Sequence, residues 1–133
     1  MTARVQTSCS TMQEKRNVFV LHCGLDIKRV VRSCDKLDLA VNIIPFRREQ
    51  VFAYYVRLGK PCPDLFVIRS HFRSLINSMN LQRNIPTLVV STHQEPANCL
   101  YPYIQAHQGY EGPNAVRLYA QLSMAIGQEL AFY

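Results

Sequence analysis

Cys23 and Arg29 are separated by five residues in HCGLDIKR, residues 22–29. At that spacing a thiolate nucleophile and a guanidinium clamp can address the same phosphoryl group. Gly24 is the loop's only flexible residue, and no separate acid is assignable to protonate a leaving group. If the segment continues as a helix, Arg29 is simply an exposed side chain and Cys23 a small buried one. A second set is His22, Cys23, His71 and His93, residue types that ligate zinc. Their wide separation fits polar loop histidines better, so no metal and no cofactor is expected. The third feature is Arg69, a lone cation closing the apolar run PDLFVIR at residues 63–69.

The chain that must position these groups has 133 residues, 48% of them hydrophobic, enough for one domain with its own core. Residues 1–17 are polar and aperiodic and are expected to form a flexible arm, leaving 18–133 as the domain. The net charge is +6, but the cations are scattered singly or in pairs, so charge alone does not point to nucleic acid. The five cysteines are odd in number and contain no CxxC pair, which argues against a disulfide framework or a zinc ribbon. With no segment approaching the roughly 20 apolar residues of a membrane span and no secretory signal, the expected location is a reducing cytoplasm.

Short apolar runs alternate with helical spacing along the chain. VFVLH at 18–22, LAVNIIPF at 39–46, LFVIR at 65–69 and IPTLVVST at 85–92 read as strands. Between them, Ile27, Val30, Val31, Cys34 and Leu37 mark one helix. Val51, Tyr54, Tyr55 and Leu58 share one face of a second, which Gly59 ends, and Phe72, Leu75, Ile76 and Met79 mark a third. Leu100–Ala106 reads as a short helix, residues 108–111 as a brief strand, and 114–131 as the last helix, with a core stripe of Ala115, Leu118, Leu122, Ala125 and Ile126. The expected fold is therefore α/β: a doubly wound, mostly parallel five-stranded sheet with helices on both faces.

In such a sheet, ligands gather at the carboxyl ends of the strands. Those ends carry His22 and Cys23, then Arg69, Ser70 and His71, then Ser91, Thr92 and His93. With PDLFVIR, IPTLVVST and the GYEGP turn before the last helix, the chain resembles the receiver domain of bacterial response regulators over residues 17–131. The resemblance places His22 and Cys23 at the acidic pair, Arg69 at the phosphoaccepting aspartate, Ser91 at the hydroxyl, and Gly112, before Pro113, at the lysine. Only the hydroxyl survives. Mg²⁺ needs hard oxygen ligands and receiver phosphorylation needs an aspartate oxygen, whereas an arginine repels the metal. The chain thus resembles a pseudo-receiver, which implies phosphorylation-independent signalling by protein association, as in the regulatory domains of some transcription factors.

Two roles are open for Arg69. It can close the vacated pocket by pairing with Asp26 or Glu95, or it can join Ser91 in receiving an anion. The bare Cys-x5-Arg spacing also resembles the phosphate loop of cysteine phosphatases, although Val30 stands where a hydroxyl residue usually follows the arginine. Val116, Tyr119 and Met124 leave one side of the last helix less polar than a solvated face, which suggests an interaction face for a protein partner or a second copy, unless a loop covers it. Arg47 and Arg48, with Tyr54 and Tyr55, suit nucleic acid no better than they suit an ordinary helix start, so direct nucleic-acid contact and membrane contact are not expected.

Overall fold

A computed structural model describes residues 15–21, 24–69, 72–83, 85–91, 102–105 and 113–131. In chain order the elements are β1 (Arg16–Leu21), α1 (Ile27–Lys36), β2 (Val41–Phe46), α2 (Glu49–Leu58), β3 (Leu65–Arg69), α3 (Arg73–Arg83), β4 (Thr87–Ser91), β5 (Tyr103–Gln105) and α4 (Pro113–Ala131). The strands lie in the order β2-β1-β3-β4-β5, and every pairing is parallel. Four strands of five or six residues make the body of the sheet, and β5 adds only three residues beside β4. This order is compatible with a flavodoxin-like arrangement. Among the described residues, no helix is long and apolar enough to cross a membrane.

The pleat divides the sheet's side chains into two clusters. Val18, Val20, Leu65, Val67, Leu88 and Val90 pack with Val30 and Cys34 of α1 and with the apolar stripe of α4. The alternate residues Phe19, Leu21, Phe66, Ile68 and Val89 pack with Phe52 and Val56 of α2 and Ile76 of α3. The second cluster is aromatic at its centre: the Phe52 and Phe66 ring centroids are 5.1 Å apart, and those of Phe19 and Phe46 5.0 Å apart. Strands buried on both faces are why the sequence shows continuous apolar runs rather than alternation.

The edge strand β2 carries Pro45. The Arg16 N–H donates to the Ala40 carbonyl at 2.9 Å, which sets the even-numbered residues of β2 toward β1 and the odd-numbered ones outward. Pro45 therefore lacks its N–H at a position that spends no ladder bond, and it leaves the open edge one donor short.

Several expectations need correction. β1 begins at Arg16, inside the segment expected to be an arm, and the carboxylate of Asp64 accepts the Asn17 N–H at 2.7 Å. Tyr103–Gln105 is a strand, not part of a helix, because pairing with β4 overrides the local apolar spacing. Residues 108–111, expected as a strand, lie outside the described residues. On α2, the stripe Val51, Tyr54, Tyr55 and Leu58 faces solvent, while Phe52, Ala53 and Val56 are buried. Gly59 does end α2, at φ 71° in the left-handed region that glycine adopts without strain.

Candidate functional site

The carboxyl ends of the central strands place Arg69 and Ser91 side by side along the sheet, with Arg69 in register with Val90, the residue before Ser91. Their side chains leave on different faces. Arg69 alternates with Ile68 and so continues the side of Val67, toward α1 and α4; Ser91 continues the side of Val89, toward α2 and α3. Ser91 is fully buried and Arg69 half-buried, so a shared anion would have to be met over the strand ends. His22, Cys23, His71, His93, Glu95 and Gly112 lie outside the described residues. Among the described residues, no three His, Cys, Asp or Glu side chains are grouped to hold a metal ion.

The better-defined arrangement lies where α1 meets α4. Asp26 caps α1, its carboxylate accepting the Lys28 N–H at 3.0 Å and the Arg29 N–H at 3.4 Å. Its own backbone N–H donates to the Tyr119 hydroxyl at 2.7 Å, a bond spanning 93 residues of sequence. The Arg29 guanidinium carbon sits 4.6 Å from the centre of the Tyr119 ring, within cation–π range. These contacts bear on the phosphatase alternative. In a phosphate loop, the first amides of the helix and the arginine would face the anion; here a carboxylate occupies the amides and a tyrosine ring receives the arginine.

Tyr119 is therefore not part of an exposed face, as its place on the helix had suggested: it is 2% exposed. It belongs to the buried stripe Ala115, Leu118, Tyr119, Leu122 and Ile126, which is wider than the apolar spacing implied because Asp26 and Arg29 give its polar end partners. Val116 and Met124 do face solvent, at 63% and 55% exposed. Between α4 and α1 runs an open groove of about 370 Å³. Val116, Ala120 and Met124 line its α4 side, Arg29, Arg32 and Lys36 its α1 side, and Tyr119 is also among its lining residues. Among the described residues, no acidic side chain lines it.

The three cations recur at spacings of three and four along α1, and that helical spacing was the signal available in the sequence for the missed half of this site. On the core face of α1 Cys34 is buried, and desolvation, with a smaller contribution from the Asp35 carboxylate, pushes its thiol from 9.0 to about 11. It is a core thiol rather than a nucleophile. No protein-family model matches the chain, and no curated protein matches it.

Proposed function

We propose that this chain is a receiver-like domain that works without phosphoryl transfer and acts by binding a protein partner in the groove between α1 and α4. The strand order β2-β1-β3-β4-β5 supports the receiver-like part, since it is the flavodoxin-type order in which receivers are built. The absence of phosphoryl transfer rests on residue type: Arg69 ends the strand where an acceptor carboxylate is required.

The observation that carries the proposal is the composition of the groove. Two large apolar side chains project into solvent beside three cations, with no carboxylate among the described lining residues. An acidic amphipathic helix complements this surface, its apolar residues meeting Val116 and Met124 and its carboxylates meeting Arg32 and Lys36. A second copy of the same groove would set like charges against each other, so charge favours a different protein as the partner.

The test is NMR titration with an amphipathic helical peptide bearing glutamates beside its apolar stripe, compared with the same peptide carrying lysines in their place. The expected result is saturable shifts at Arg29, Arg32, Lys36, Val116 and Met124 with the acidic peptide only. Shifts elsewhere, or equal binding of both peptides, would reject the proposal.

A further inference from the structure

On the opposite face of the sheet, the exposed stripe of α2 borders a concave space of about 580 Å³ between that helix and the end of β2. Phe46 is its buried base, with its ring centroid 5.7 Å from that of Tyr55. Ile44, Pro45, Val51 and Pro61 add apolar wall, and the exposed Arg47 and Arg48 line it from the short β2–α2 connection. Among the described residues, no acidic side chain lines the space.

Size and chemistry together define the occupant. The volume lies in the range of about 300–1,000 Å³ typical of small-molecule sites, which are mostly apolar with a few polar groups that fix orientation. Two adjacent guanidinium groups select a carboxylate or a similar oxyanion, and the phenyl and aliphatic walls select an apolar body. An added strand from another chain is a poorer occupant, because Pro45 removes a donor from the open edge of β2. We infer that this crevice binds a small amphipathic acid, its aromatic or aliphatic body against Phe46, Val51 and Tyr55 and its anionic group on Arg47 and Arg48. The site is separate from the groove between α1 and α4 and stands whether or not a protein binds there.

Fluorescence titration with anilinonaphthalene sulfonate tests it, alongside phenyl-naphthylamine, which keeps the ring system and lacks the anion. Saturable one-to-one binding of the sulfonate, displaced by decanoate, is expected. The double variant Arg47→Gln/Arg48→Gln should weaken the sulfonate at least about tenfold while changing the neutral probe by no more than about twofold. Val51→Glu, at an exposed position of α2, should weaken both probes. Amide shifts with the sulfonate should fall at Ile44, Arg47, Val51 and Tyr55. Absence of saturable binding, indifference to these variants, or shifts at Arg32 and Met124 instead would each overturn the inference.

Discussion

The guanidinium of Arg29 stacks at 4.6 Å over the ring of Tyr119, whose hydroxyl accepts the Asp26 N–H at 2.7 Å, so two residues of α1's first turn and its cap close on one side chain of α4. Removing the hydroxyl alone, in Tyr119→Phe, leaves the ring in place and strands one N–H. The expected cost is about 1 kcal/mol, seen as a lower denaturation midpoint at unchanged slope. In a cycle of Arg29→Ala with Tyr119→Leu, the coupling should be about 0.5–1 kcal/mol. A coupling of zero would mean that the stacking contributes nothing in solution.

Cys34 links stability to alkaline pH. Its folded-state pKa lies near 11 against an ordinary 9.0, so between these values the unfolded chain has lost a proton that the folded chain keeps. The Cys34 contribution to stability is therefore intact below about pH 9 and is lost as pH rises through about 11. Denaturation midpoints measured across that window should fall more steeply in the native chain than in Cys34→Ala. At pH 8, alkylation read by peptide mass should mark the exposed Cys62 promptly and Cys34 only as the chain unfolds.

Acetyl phosphate with Mg²⁺ should leave the intact mass unchanged, because a guanidinium at residue 69 offers no nucleophilic oxygen and repels the cation. Arg69→Asp supplies one carboxylate but not the metal-binding pair, and it too should remain unmodified. A phosphoryl adduct on the native chain would end the phosphorylation-independent account.

The alternation of strands and helices was legible because each buried strand is a short apolar run and each helix shows its own period. VFVL, LFVIR and TLVVS lie in β1, β3 and β4 for that reason. Facing was harder to read. Val51, Tyr54, Tyr55 and Leu58 have ideal helical spacing, yet the sheet takes Phe52, Ala53 and Val56 instead, and a periodicity shared by two faces of one helix does not say which meets the core. Tyr119 was misplaced for a different reason: its partners Asp26 and Arg29 are about ninety residues away in sequence, and nothing local to α4 announces them. Arg32 and Lys36 were present as ordinary cations and became part of a site only when α4 placed Val116 and Met124 beside them.

Photocrosslinking in living cells, with a benzophenone side chain at position 124 and a control at the exposed position 77 of α3, asks whether a partner occupies the groove between α1 and α4. A partner seated between α1 and α4 gives one discrete adduct to a different protein from position 124, none from position 77, and its loss in Arg32→Glu/Lys36→Glu under conditions where the chain stays folded. An adduct indifferent to that charge reversal, or none from position 124 while position 77 crosslinks, would contradict it.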